Sequence, residues 1–274
     1  MTELPTKLTA NGSYNPIYFA PLFAIEDQHF WFRARNRVIS ALARQITATL
    51  APTYQVLEVG CGTGNVLRVL EQACPSGVVV GLDLFAEGLQ YARQRTSCPL
   101  VQGDMHTPPF GTQFDLIGLF DVLEHLPDDM QVLRDLHAML AEEGALLLTV
   151  PAHPSLWSYF DEASHHCRRY KPSELESKLI RAGYRVEYLT QYMMSIFPLV
   201  WLGRRLAALI DRRPTEDTGR THDLAFDELR IIPVVNDLLA LLLAQETHMI
   251  VRRHSLPLGT SLLAVARKDS GSTG

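Results

Sequence analysis

At 274 residues, 47% hydrophobic and 20% charged, the chain is long enough to bury one sizeable core and too apolar to stay disordered. Its formal net charge of -5 supplies no broad basic field, which excludes a protein built to grip phosphate backbones, so no nucleic acid partner is expected. Cys61, Cys74, Cys98 and Cys167 form no C-x-x-C pair and no secretory signal opens the sequence, so reduced thiols and a cytoplasmic location are expected.

In chain order, the stretch before Tyr18 carries Pro5, Asn11, Gly12 and Pro16 without apolar periodicity and is expected to be mobile. Phe23 to Leu50 predicts one helix, with Ile39, Leu42, Ile46 and Leu50 at helical spacing and Pro52 as the stop. Gln55 to Val59 predicts a strand entering a glycine-rich turn, then a helix through Val66, Leu67, Val69 and Leu70. The unit repeats as Val78 to Leu82 with a helix through Leu89 and Ala92. Leu100-Val101 with a loop follows, then Phe114 to Phe120 with a helix over Met130 to Leu140. Gly144 to Val150 predicts a strand ending at Pro151, and Leu175 to Ala182 a helix closed by Gly183 as a left-handed cap. Tyr184 to Leu189 and Ser261 to Ala266 complete the set of strands, and the alternation implies a parallel sheet covered by helices on both faces.

About 70 residues separate those last two strands, too many for a plain loop of a compact domain, so a helical insertion is expected. It holds two apolar segments, Met193 to Ile210 and Ile231 to Ala244, joined by a polar stretch, Asp211 to Asp223, that reads as a linker. Pro198 and Arg204-Arg205 break the first segment, and Pro233, Asn236 and Asp237 break the second. Neither offers roughly 20 uninterrupted apolar residues, so no membrane span is expected. The insertion could pack against the sheet edge, line an apolar acceptor pocket, form a dimer face or make peripheral contact with a membrane. The chain thus divides into an N-terminal helical lid segment (1–50), an α/β domain (51–192), the insertion as a cap on the substrate side (193–255), the final strand (256–268) and a flexible tail (269–274).

The run Val56-Leu57-Glu58-Val59-Gly60-Cys61-Gly62-Thr63-Gly64 places glycines where the first strand ends, letting the backbone turn sharply and a ligand approach the main chain. Asp83 ends the second strand, where a carboxylate can accept both hydroxyls of a ribose, a reading that serves NAD equally well. The turn discriminates: it is G-x-G-x-G with Glu58 two residues ahead, not the G-x-G-x-x-G of dinucleotide binders.

With Gln102-Gly103-Asp104-Met105, Phe114-Asp115-Leu116-Ile117 and Phe120-Asp121-Val122-Leu123-Glu124-His125 following in order, the segment from Gln55 to Pro151 resembles the class I S-adenosylmethionine-dependent methyltransferases. His29-Phe30-Trp31-Phe32-Arg33-Ala34-Arg35 is similar to the N-terminal segment of a small-molecule branch of that class. So are Pro151-Ala152-His153 through Arg168-Arg169-Tyr170, and Leu256 to Ser261. The resemblance implies a Rossmann-like, doubly wound, mostly parallel seven-stranded sheet with an antiparallel edge strand. It implies S-adenosyl-L-methionine as cofactor, S-adenosyl-L-homocysteine as product, and no metal. Glu58, Gly60, Cys61, Gly62 and Gly64 would surround the methionine part, Asp83 and Leu84 the ribose, and Asp104 and Met105 the adenine. Trp31, Arg35, Phe120 and His125 would complete the cofactor side. His165 stands where the branch usually has glycine, so the local backbone there is an open question.

The acceptor is expected to be a small molecule, methylated on oxygen, nitrogen or carbon, that meets His153, Trp157, Asp161, His166, Arg169 and Tyr170. His166 and His125 are the candidate bases, since imidazole titrates near neutrality. Each also has a plainer reading, His125 as a cofactor-side group and His166 as an ordinary hydrogen-bonding side chain. His165-His166-Cys167 with His153 could suggest zinc, but adjacent ligands on a loop rarely converge. Three rival functions remain: methylation of a lipid or quinone-like intermediate at a membrane surface, a non-catalytic cofactor-binding subunit, and an NAD-dependent dehydrogenase. Monomer and homodimer are both open.

Overall fold

The computed structural model describes residues 14–210 and 230–269. The stretch Asp211 to Asp223 expected as a linker, with the rest of 211–229, the first 13 residues and those after 269, lies outside the described residues. The chain begins with a helical turn, Pro16–Tyr18, capped by Asn15, and runs into α1 (Phe19–Ile25) and α2 (Phe30–Thr47). The single helix expected from Phe23 is therefore two. The chain leaves helical geometry at His29, whose extended backbone and ring Nδ1, accepting from Trp31 N at 3.3 Å, start α2 afresh.

There follow β1 (Gln55–Val59), α3 (Asn65–Ala73), β2 (Val78–Asp83), α4 (Ala86–Ala92), β3 (Leu100–Gln102), β4 (Phe114–Phe120) and α5 (Asp129–Met139). Then come β5 (Leu140–Pro151), α6 (Tyr159–Ala163), α7 (Pro172–Arg181), β6 (Tyr184–Tyr192), α8 (Phe197–Ile210), α9 (Pro233–Val251) and β7 (Ser261–Lys268). One seven-stranded sheet is ordered β3-β2-β1-β4-β5-β7-β6. The pairs β1–β2, β1–β4, β2–β3 and β4–β5 are parallel; β7 is antiparallel to both β5 and β6, so the edge pair β6–β7 is antiparallel and β6 is the outermost strand. β5 starts four residues before its expected Gly144. Phe114 pairs with Leu140 and Leu116 with Ala145, and the extra residues are absorbed at Glu143, whose φ is 62°.

Strand alternation splits the core into two layers. Val56, Leu116, Leu147 and Leu263 face Ile39 and Leu42 of α2 and Leu67 and Leu70 of α3. Leu57, Ile117, Leu146 and Leu262 face Leu133 and Leu136 of α5 and Leu175 and Leu179 of α7. Gly183, at φ 95°, closes α7 as the sequence implied. The four cysteines are free.

In the insertion α9 lies along α2, burying Ala240, Leu243 and Ile250, the last two in the same core layer as Tyr188 and Tyr192 of the edge strand β6. Two buried polar side chains fix it there. Asn236 Oδ1 accepts from Phe30 N at 2.7 Å while its Nδ2 donates to Gln28 O at 3.1 Å. Glu246 accepts from Met194 N, Ser195 N and Ser195 Oγ at 3.0, 2.7 and 2.6 Å, clamping the entrance to α8. By length and composition α9 alone among the described helices is long and apolar enough to cross a bilayer, but these inward polar groups commit one side of it to the protein. Asn236→Ala, which removes the hydrogen bonds to Phe30 N and Gln28 O at the α1–α2 junction, is expected to lower unfolding free energy by about 1–3 kcal/mol at unchanged slope in urea titration.

Candidate functional site

The turn from β1 into α3 depends on backbone that side chains resist: φ is 73° at Gly60, 48° at Gly62 and 76° at Gly64. At Gly60 and Gly64 space is also refused, since a Cβ would stand 2.6 Å from Val122 Cγ2 and 2.8 Å from Ala92 Cα respectively. Gly60 N and Cys61 N both donate to Leu82 O, at 2.8 and 3.1 Å, so the turn is tied to the end of β2. Asp83 completes the tie, its Oδ2 accepting from Gly62 N at 2.7 Å and its Oδ1 from Phe85 N at 2.8 Å. Burial raises its pKa above the usual carboxylate value even though these amides pull the other way.

The turn opens on a pocket of about 830 Å³ at the C-terminal ends of β1, β2 and β4, where a doubly wound sheet places its ligands. Trp31, Arg35, Glu58, Gly60, Cys61, Gly62, Asp83, Leu84, Asp104, Met105, Phe120, His125, His166 and Arg169 line it. Gly64 does not; it serves the turn by letting α3 start against α4. Glu58 is buried and its Oε2 has no hydrogen-bond partner; burial raises its pKa well above normal, outweighing the pull of Arg35. Arg35 is committed elsewhere, with Nη1 donating to Asp121 Oδ2 at 2.8 Å and its guanidinium 5.0 Å from the Trp31 ring centroid and 5.3 Å from that of Phe32. Asp104 Oδ1 accepts from His106 N at 2.9 Å.

On the opposite wall, His166 Nδ1 lies 2.9 Å from Asp161 Oδ1, which also accepts from Arg169 Nε at 2.7 Å. Asp161 is fully buried. Burial alone would raise its pKa, but His166 and Arg169 hold it below the usual carboxylate range. Asp161 thus stands behind the pocket wall instead of lining it. Burial, aided by His166, pulls the His125 imidazole down to about 3, and the two rings meet edge to face at 4.7 Å. Three other expected acceptor contacts lie outside the lining. Tyr170 is buried with its hydroxyl donating to Asp129 at 2.9 Å; His153 Nε2 meets Gln191 Oε1 at 2.6 Å; Trp157 is partly exposed with its indole N–H on Glu162. His165 adopts φ 54°, so it keeps the backbone shape that a glycine would take.

Several lining residues escaped the sequence reading. Tyr14, in the stretch expected to be mobile, packs on Phe19 at 5.1 Å and meets His125 edge to face at 5.7 Å. Glu26 accepts from Thr63 Oγ1 at 2.5 Å and pairs with Arg95, tying the α1 end to the glycine turn. A lone glutamate in an apolar helix was the available signal. Leu199, Val200 and Arg204 of α8, with Ile196 just before it, also line the pocket. Glu124, His125 and His166 set ligand-type atoms within 4.8 Å of one another, so these three, and not the adjacent pair with Cys167, are where a cation could sit.

A family model described as a methyltransferase domain matches residues 27–189. The chain is 33% identical over 157 residues to trans-aconitate 2-methyltransferase of Deinococcus radiodurans, covering 56% of this chain and 57% of that protein. It is 30% identical over 158 residues to the enzyme of the same name from Azoarcus, covering 57% and 60%. The match thus spans less than two thirds of these relatives. Among solved structures, a plantazolicin methyltransferase in complex with a triazolic desmethylPZN analogue and SAH is similar in fold, with a TM-score of 0.55 at 13% identity, covering 87% of this chain and 86% of that one.

Glu58 supplies a test of the pocket's electrostatics. A group whose folded pKa is raised favours folding below its unfolded pKa and loses that contribution as pH rises through the folded value. Glu58→Gln is therefore expected to raise the stability of the ligand-free protein at neutral pH by about 1–3 kcal/mol. The gain, measured by thermal melts, should vanish at acid pH, where the glutamate is neutral in both states.

Proposed function

The chain belongs to the methyltransferase-domain family, and on that premise we propose that it transfers the methyl group of S-adenosylmethionine to a small-molecule acceptor. The observation that carries this reading is a pocket built round two buried carboxylates, one of them with an oxygen that has no partner. A buried acceptor atom without a donor is costly unless a ligand supplies one. The cofactor offers an ammonium and a sulfonium for Glu58 and ribose hydroxyls for the lone pairs that Asp83 keeps after binding two amides. Asp104 and Met105 would hold the adenine, and Gly60 and Gly62 let the ligand reach the main chain.

The sulfonium supplies an already activated methyl group, so the protein's task is to position and to exclude water. Tyr14, Phe19 and Phe120 wall the cofactor side with rings. His166 is the group placed to take a proton from an acceptor hydroxyl or ammonium. With Nδ1–H donated to the ionised Asp161, Nε2 is the ring nitrogen that carries the lone pair, and the Asp161 carboxylate stabilises the imidazolium that forms. His125 stays neutral at physiological pH and serves as a hydrogen-bonding group beside it. Arg169, locked on Asp161 and on Ala152 O at 3.1 Å, fixes the pair.

Titration calorimetry with S-adenosylhomocysteine and with NAD tests the reading. Binding of the first and no heat from the second is the expected result, and the reverse would sink it. Asp83→Ala is expected to weaken S-adenosylhomocysteine by at least about tenfold, or about 1.4 kcal/mol, through loss of both the ribose contacts and the tie to Gly62.

A further inference from the structure

The outer sides of α8 and α9 carry an apolar surface that neither the core nor the pocket uses. Trp201, Leu202 and Leu206 on α8 and Leu238, Leu241 and Leu242 on α9 are all exposed, Leu241 by more than 60%. Both helices lie over the same core layer, with Val200 and Leu239 as their inward contacts. Soluble surfaces seldom leave so many large apolar side chains without a partner.

Charge selects the partner. Over 197–206 and 230–255 the acidic residues are Asp237 and Glu246; the first pairs with Arg33 at 3.3 Å and the second is buried against the entrance to α8. The basic side chains of the same stretches are all arginine, and Arg205, Arg252 and Arg253 are exposed, in a chain whose net charge is -5. Arg205 lies over the Trp201 ring at 5.5 Å, a pairing of aromatic and cation suited to the headgroup layer. A second copy of the chain would fit poorly, since a two-fold interface sets each patch against itself and would bring arginines together. The same helix also opens the pocket, because Leu199, Val200 and Arg204 of α8 line its mouth.

We propose that this face docks on an anionic lipid surface, with α8 and α9 lying in the headgroup layer, so that an amphipathic acceptor enters the pocket from the bilayer past α8. Only the acceptor's route rests on the function proposed above; docking stands or falls independently of it.

Co-sedimentation of the full chain with phosphatidylcholine vesicles, with and without about 30 mol% phosphatidylglycerol, tests the proposal. The anionic vesicles should pellet the protein at least about tenfold better than the neutral ones, with the gain fading as salt shortens the screening length toward about 3 Å. Leu241→Glu with Leu242→Glu, and separately Arg205→Glu with Arg252→Glu, should each cut pelleting about tenfold or more. Melting temperature and S-adenosylhomocysteine affinity should stay unchanged in both. Absence of pelleting, equal pelleting with neutral vesicles, or a dimer in light scattering that the leucine variant dissociates would each overturn it. If S-adenosylhomocysteine fails to bind while anionic vesicles still pellet the protein, the function falls and the docking stands.

Discussion

The structure depends on one constraint: the carboxylate of Asp83 must sit where Gly62 N can reach it. That bond, with the two amides that share Leu82 O, folds the glycine turn onto the end of β2 and sets the direction in which α3 leaves. Three successive positive-φ glycines would otherwise be the loosest part of the chain, because glycine gives up more conformational freedom on folding than any other residue. Holding them requires a buried charge, and the burial cost appears in the raised pKa values of Asp83 and Glu58. Instability of this kind is reasonable at a binding site, where the ligand rather than the protein completes the interactions.

The opposite wall solves a different electrostatic problem. Asp161 is as deeply buried as Glu58, yet it stays ionised, because Arg169 and His166 reach it directly. One side of the pocket therefore waits for positive charge from a ligand, while the other carries its own. A short helix, α6, makes this possible: Ser158 and Asp161 cap it reciprocally, which turns the Asp161 side chain inward.

Where a residue's role depends on its neighbours in sequence, the sequence was legible. Alternation of apolar strands with helices, the G-x-G-x-G run after β1 and the acidic end of β2 each describe local geometry, and all fall in the expected elements. Gly183 was readable for the same reason, since a helix ending is a local event. Contacts across the fold were not. Nothing near Tyr14 announces that it meets His125, and nothing near Glu26 points to Arg95, far along the chain. The inward side of α9 was hidden by its composition, for Asn236 looks like an interruption of an apolar segment, and Glu246 lies past its expected end, until α2 and the α8 entrance are beside them. Tyr170, His153 and Trp157 were grouped with Asp161, His166 and Arg169 by the resemblance of the whole stretch, and their partners Asp129, Gln191 and Glu162 hold them outside the pocket lining.

The position of β7 bears on how the chain is made. It fills the gap between β5 and β6, although it emerges from the ribosome after both and after the whole insertion. Until then β6 has no neighbour to hydrogen-bond and β5 shows a bare side, while the greasy helices of the insertion are already synthesised. Nascent protein must wait in that half-built state, which exposes strand edges to other chains. Slow synthesis through the insertion, or a chaperone on it, would shield a vulnerability that the finished sheet no longer shows.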